Sequence, residues 1–288
     1  MVEITSTVHI SNFCYFMEKC AYCGFAVGTS PDGYLFLTDK KQEEIKKAAI
    51  SIAKSGIKRV SISAGYGNFY KILKGLEIIK ENTKLKVLIN IGGDLNRTEI
   101  TLLKSAGVDT ICCNLETMNL NLFRKLKPED SIEKRMKVCY QVKETGTELS
   151  SGLLVGIGET EKDRQLHLEF LNAIEVDEVP VMGFHPYRGT PMEQMEEASL
   201  KLQLKVIKLV KSKIPSLKRL TVPFPTIGKE GIIPAVKAGA TNIATVIPKN
   251  YPLPIKGVGS PSVGILEEIL TILEKEGIKA DVKKPVSV

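Results

Sequence analysis

The sequence predicts an α/β chain in which about eight strand–helix units close into a TIM-type (β/α)8 barrel. Short apolar runs alternate with amphipathic helices along the chain, and most of the helices are stopped by glycine. No block of successive strands and no low-complexity linker breaks the alternation. The 288 residues, 43% of them hydrophobic, suffice for a barrel core. An open, doubly wound sheet is the alternative architecture, and both place chemistry at the C-terminal ends of the strands.

The first apolar run, Val8 to Ile10, leads into a cysteine-rich loop. A helix opens near Asp39, where Asp39 and Gln42 have the spacing of a capping box, and it stops at Gly56. Strand 59–63, a helix from Phe69 to Lys80 and strand 86–90 follow. A helix over 99–106 feeds strand 110–114, and one through Ile132, Met136, Cys139 and Val142 feeds strand 151–155. Helix 161–173 precedes strand 178–184, and a helix around 200–210 precedes strand 219–222. Residues 200–205 alternate like a strand, but the length of the run and its lack of β-branched residues favour helix. A helical pattern over 232–238, a strand over 241–246 and a helix over 263–276 complete the expectation. The whole of 1–288 reads as one domain, with a cluster-type loop at 11–30 and barrel closure over about 215–288.

Lysine and arginine exceed aspartate and glutamate by 40 − 33 = 7, and the excess is spread without a basic block. Such a charge favours solubility and does not identify a nucleic-acid binder. No apolar stretch reaches the roughly 20 residues of a membrane span, and Met1 to Thr5 shows no secretory pattern. The expectation is a cytoplasmic protein with neither a nucleic-acid nor a membrane partner. Reduced thiols in that compartment more often hold metal or do chemistry than form disulfides.

Three of the 6 cysteines form a C-x5-C-x2-C run, Cys14, Cys20 and Cys23. Three soft thiolates on one loop suit three corners of an iron–sulfur cubane and leave one iron open to a chelating ligand. The competing reading is a Cys3His zinc site completed by His9, against which stand the missing second C-x2-C knuckle and the place of His9 within an apparent strand.

The loop resembles the signature of the radical S-adenosylmethionine (SAM) enzymes, with Tyr22 as the aromatic residue before the last cysteine and Phe25 just beyond it. That resemblance implies a 4Fe–4S cluster on Cys14, Cys20 and Cys23, with SAM chelating the open iron. The common family spacing is C-x3-C-x2-C, so this chain has two extra residues between its first pair. Asn114-Leu115-Glu116-Thr117 resembles the motif of the biotin synthase-like subgroup, in which the acid receives the SAM ammonium, and Arg135 matches a family arginine placed to fork onto the SAM carboxylate. Leu153 to Arg164 resembles the subgroup's glycine-rich turn, implying that Ile157 packs on adenine; Thr160 and Asp163 also read as a plain capping box. At the end of the second strand the family places a Gly-Gly-Glu-like segment. Here there is no acid, and Ser63 is the partial substitute.

His185, Tyr187 and Arg188 lie in a segment resembling the loop that closes over SAM and substrate in biotin synthase relatives. Pro223-Phe224-Pro225 and Pro248-Lys249-Asn250 end the last two strands and are further candidates for the pocket lining. Cys112 and Cys113, adjacent on one strand, face opposite sides, and Cys139 shares a helical stripe with Ile132 and Met136 that marks it as core. A second cluster, and with it sulfur insertion, is therefore not expected. The C-x5-C-x2-C spacing on a barrel of this length most resembles the HmdB/HcgA-type radical SAM proteins that serve the iron-guanylylpyridinol cofactor of the methanogen Fe-hydrogenase. That resemblance implies carbon-bond chemistry on a pyridinol precursor, with electrons from a low-potential donor such as ferredoxin or flavodoxin. Another mutase or lyase of the subgroup, and a non-catalytic iron–sulfur or zinc protein, are the alternatives.

Overall fold

A computed structural model describes residues 1–24, 39–91, 93, 95–253 and 263–283. Phe25, the later part of the 11–30 loop, and parts of the expected C-terminal closure lie outside the described residues.

The barrel strands are β1 (Glu3–Ser11), β2 (Arg59–Ala64), β3 (Lys86–Asn90), β4 (Thr110–Cys112), β5 (Glu148–Ser150), β6 (Leu153–Val155), β7 (Glu178–Gly183), β8 (Arg219–Pro223) and β9 (Asn242–Ile247), all in parallel pairs. β9 pairs with β1 and closes the sheet into an eight-position barrel, β5 and β6 sharing one position. A short β10 (Gly264–Ile265) pairs in parallel with the C-terminal end of β9. Closure removes the unpaired edges that an open sheet would expose, so the doubly wound alternative is excluded.

Between the strands run α1 (Gln42–Lys54), α2 (Phe69–Asn82), α3 (Arg97–Ser105), α4 (Leu120–Leu126), α5 (Ile132–Glu144), α6 (Glu161–Ala173), α7 (Leu200–Lys213), α8 (Phe224–Ala238) and α9 (Leu266–Lys275). Their apolar stripes pack on the outer face of the sheet in one continuous core. Among the described residues, no helix is long and apolar enough to cross a membrane. The alternating run at 200–205 is helix, capped by Ser199, which accepts from Leu202 N–H. The Thr160–Asp163 capping box is present as expected.

Several boundaries differ from expectation for local reasons. α1 begins after Lys41 and uses Glu44 in its capping box, while Asp39 bridges to Ser11 and pairs with Lys71 at 2.6 Å. The strand expected over 151–155 is interrupted, because Asn114 Oδ1 takes Gly152 N–H at 2.9 Å. Gly152 there lies so close to β7 that a Cβ would sit 2.4 Å from the Pro180 carbonyl oxygen. α8 starts at Phe224, well before the expected 232, with a break at Gly228. α4 escaped the periodicity reading because it is short, although Asn119 is an ordinary N-cap accepting from Leu122 N–H.

The N-terminal end of the barrel is filled by a buried polar layer. Arg59 reaches Glu178 at 2.5 Å and Thr110 at 3.1 Å, Thr221 donates to Glu178 at 2.6 Å, and Asn242 links Thr221 to Thr5. Arg219 meets the same carboxylate at 3.2 Å and also pairs with Glu148. Burial alone would raise the Glu178 pKa, but the two arginines and Thr221 outweigh it and hold the carboxyl below its ordinary value. This plug leaves the C-terminal mouth as the face open to chemistry.

Glu178→Gln should strand Arg59 without its full counter-charge and cost about 3–5 kcal/mol in urea unfolding. Because the folded-state pKa is lowered, the stabilisation from Glu178 is present above roughly pH 4.3 and fades as pH falls through the lower folded value. The wild-type protein should therefore lose more stability on acidification below about pH 4 than the variant does, and parallel pH profiles would contradict the assignment.

Candidate active site

The three-cysteine loop leaves the C-terminal end of β1, so chain connectivity puts it over the barrel mouth. Two other loops clamp it. The β2–α2 loop takes Tyr15 N–H on the Tyr66 carbonyl at 3.1 Å, and Asn68 Nδ2 donates to the Phe13 carbonyl at 2.7 Å. Phe16 stacks on Tyr66 with ring centroids 3.9 Å apart. The segment after α4 grips the other side: Ala21 N–H donates to the Leu126 carbonyl at 2.8 Å, and Glu129 accepts from Met17 and Glu18 N–H. Cys14, Cys20 and Cys23 are all half-buried free thiols. Burial pushes the Cys20 thiol up, against the pull of the nearby Lys127 and Arg135 charges.

Glu116 is the polar centre of the mouth. It follows β4 with a left-handed φ of 62°, held there by hydrogen bonds to Gly152 O at 3.2 Å and from Leu154 N–H at 3.0 Å. Non-glycine residues rarely adopt this conformation, and such strain concentrates at functional sites. One carboxylate oxygen accepts from the Tyr22 hydroxyl at 2.8 Å and pairs with Lys127 at 3.5 Å. The other oxygen, Oε2, is buried without a hydrogen-bond partner. A buried carboxylate oxygen left this way is costly, and an entering cationic group would satisfy it.

Arg135, on the first turn of α5, is buried and already engaged: Nε pairs with Asp130 at 2.7 Å and Nη1 donates to the Asn114 carbonyl. The neighbouring negative charges outweigh burial and raise its pKa, so the guanidinium stays charged. Asn114 is a structural spacer through Gly152 and also approaches Met182. Ile157 packs in a small apolar cluster with Leu126, Leu154, Phe184 and Met192, against which Tyr22 and Ala21 lie. The glycine-rich turn is closed on itself, since Glu159 takes Gly156 and Ile157 N–H and pairs with Arg164 at 2.5 Å. Gly156, at φ 88°, has Ala198 where a Cβ would go, so protein packing demands that glycine.

Tyr22, Glu116, Cys20, Asn114 and Arg135 therefore converge. Ser63 is directed elsewhere: it bonds His9 Nδ1 on the inner face of the barrel. His9 is thereby committed within the sheet, and burial lowers its pKa to about 4. His185 pairs with Glu197 at 2.7 Å and stacks edge-on with Tyr187, while Arg188 is exposed on the same loop. Cys113 donates to the Arg135 carbonyl, and Cys139 on α5 donates to the Cys113 carbonyl, which places Cys139 in the core as expected. Cys112 faces the barrel interior beside Asn114. Lys127 and Glu129 were not foreseen, because the loop that carries them has no periodicity and no known spacing to the cysteines.

Among the described residues no three His, Cys, Asp or Glu side chains close on a single metal ion. The thiols instead sit on a clamped, half-buried loop beside a cation and an orphaned carboxylate oxygen, a donor set that fits a cluster and a small zwitterionic ligand.

A parallel barrel with three thiols over its mouth and a buried acid beside them defines a cluster-dependent enzyme class. The radical SAM superfamily model matches residues 8–171, and the chain belongs to that superfamily, whose members use a 4Fe–4S cluster and SAM to act on small molecules with electrons from a donor. It is 50% identical over 280 residues to the uncharacterized protein MJ0785 of Methanocaldococcus jannaschii, covering 96% of this chain and 74% of that one. It is 30% identical over 216 residues to the [FeFe] hydrogenase maturase subunit HydE of Thermotoga maritima, covering 74% of this chain and 61% of the maturase. The crystal structure of methylornithine synthase (PylB) superposes with a TM-score of 0.85 at 21% identity, over 97% of this chain and 83% of that one. The protein is thus a radical SAM enzyme with biotin synthase-like relatives.

Glu129→Ala should release the Met17 and Glu18 amides and raise their hydrogen exchange on the order of tenfold, with the barrel strands unchanged. Unchanged exchange at these two amides would mean that Glu129 does not hold the loop.

Proposed function

We propose that this enzyme builds or rearranges carbon bonds of the pyridinol precursor of the iron-guanylylpyridinol cofactor of Fe-hydrogenase, beginning with hydrogen abstraction. The observation that carries the reading is the C-x5-C-x2-C spacing on a biotin synthase-like barrel of 288 residues. The extended likeness to a Methanocaldococcus jannaschii protein supports a methanogen setting.

In this reading Cys14, Cys20 and Cys23 hold the 4Fe–4S cluster. Glu116 Oε2, the oxygen without a partner, accepts the ammonium of SAM, with Tyr22 fixing the carboxylate's orientation. Arg135, held by Asp130, presents its remaining edge to the SAM carboxylate, and Ile157 in its apolar cluster offers a dry face to adenine. Held by the three thiolates, a cluster would supply the one-electron reduction that radical SAM chemistry needs. The buried polar plug seals the barrel floor, and the clamped loop holds the thiols over the mouth. His185, Tyr187 and Arg188 on the loop after β7 are the candidates for hydrogen bonds to an oxygenated or carboxylated substrate. A low-potential donor such as ferredoxin or flavodoxin supplies the electron in this reading, and 1–288 acts as one barrel domain.

A second reading, an amino-acid mutase or lyase, is favoured by the structural likeness to methylornithine synthase. The two separate by anaerobic turnover of reconstituted enzyme with SAM and dithionite. Carboxylated pyridinols should stimulate 5′-deoxyadenosine formation at least about tenfold over buffer, and Cys20→Ala should abolish it. Stimulation by lysine or ornithine in their place would overturn the pyridinol assignment in favour of the second reading.

A further inference from the structure

Lys127 caps the C-terminal end of α4, and its side chain is 7% exposed. A lysine buried to that degree needs compensating partners, and three converge on the ammonium. Nζ lies 3.5 Å from Glu116 Oε1, 3.9 Å from Cys20 Sγ and 5.1 Å from the centroid of the Tyr22 ring. Arg135, another buried cation at the mouth, is turned to Asp130 and the Asn114 carbonyl. Lys127 therefore joins the cysteine loop to the acid at the end of β4, two elements that the sequence separates by about ninety residues.

We propose that Lys127 is a positioning residue that sets the reduction potential of the cluster, by donating to the Cys20 sulfur while its other contact holds Glu116. This rests on the reading of Cys14, Cys20 and Cys23 as cluster ligands. Reduction adds one negative charge to a cluster already carried on thiolates. A cation and hydrogen-bond donor at a ligating sulfur stabilises the reduced state more than the oxidised one, and so raises the potential. The side chain is held on one side by a carboxylate and lies over an aromatic face, so the charge is fixed in place in a largely water-excluded setting, where it acts more strongly than an exposed lysine would.

The test is an EPR-monitored redox titration of anaerobically reconstituted protein, after iron and sulfide content has been measured in each variant. Lys127→Met with a full cluster should be harder to reduce: at the wild-type midpoint its reduced-to-oxidised ratio should fall about tenfold or more. Lys127→Arg, which keeps a charge and a donor, should restore most of the loss. Removing the lysine alone leaves Glu116 buried without its counter-charge, so the Glu116→Gln/Lys127→Met double variant replaces both charges and guards against a failure to fold. Glu116→Gln alone, with the ammonium left to the sulfur, should titrate at or above the wild-type midpoint, and the double variant below it. A loaded Lys127→Met protein with the wild-type midpoint, or a double variant that titrates with Glu116→Gln, would overturn the proposal. Failure of the wild-type protein to take up a cluster would instead overturn the ligand assignment beneath it.

Discussion

The mouth of this barrel is organised around one buried carboxylate. Glu116 is forced into a left-handed backbone conformation by its ladder contacts with β6, and that conformation aims its side chain across the mouth toward the cysteine loop. Strain of about 1–3 kcal/mol at such a residue persists only where the surroundings over-determine it. Here they do: the Gly152 carbonyl, the Leu154 amide, the Tyr22 hydroxyl and the Lys127 ammonium all fix it. The loop that carries the thiols is registered on the barrel through the same contacts, so the acid and the cysteines are positioned as one unit.

The two ends of the barrel solve opposite problems. At the N-terminal end, Arg59, Glu178, Arg219 and their hydroxyl and amide partners satisfy one another, and the barrel floor is sealed by a saturated polar network. At the C-terminal end, Glu116 Oε2 is buried without a hydrogen-bond partner. The β2–α2 loop and the C-terminal end of α4 with the segment after it tie the backbone of the cysteine loop to the barrel. Preorganisation of this kind lowers the entropy lost on binding.

Much of the fold was legible because periodicity and capping report burial directly. Strand 86–90, helix 161–173 and the helical reading of 200–205 all follow from pattern, and the core position of Cys139 follows from its stripe. The cysteine run stood out by its spacing, while Tyr22 and Glu116 were singled out by the family resemblance, and the structure places the Tyr22 hydroxyl on the Glu116 carboxylate. What the pattern did not reveal were features made by tertiary approach. The break between β5 and β6 depends on Asn114 reaching Gly152, the commitment of Ser63 depends on His9 lying opposite it across two strands, and Lys127 matters through contacts distant in sequence. Asn114, singled out by the motif, also accepts from the Gly152 backbone through Oδ1, a contact that no linear motif carries.

The central claim is that three cysteines hold a cluster with one iron open beside Glu116. EPR of the reduced, reconstituted wild-type protein, recorded before and after addition of SAM, tests it most directly. A 4Fe–4S signal that changes shape on addition of stoichiometric SAM is the expected result. A fully loaded cluster whose spectrum ignores SAM, or a protein that retains zinc and takes up no iron, would contradict it.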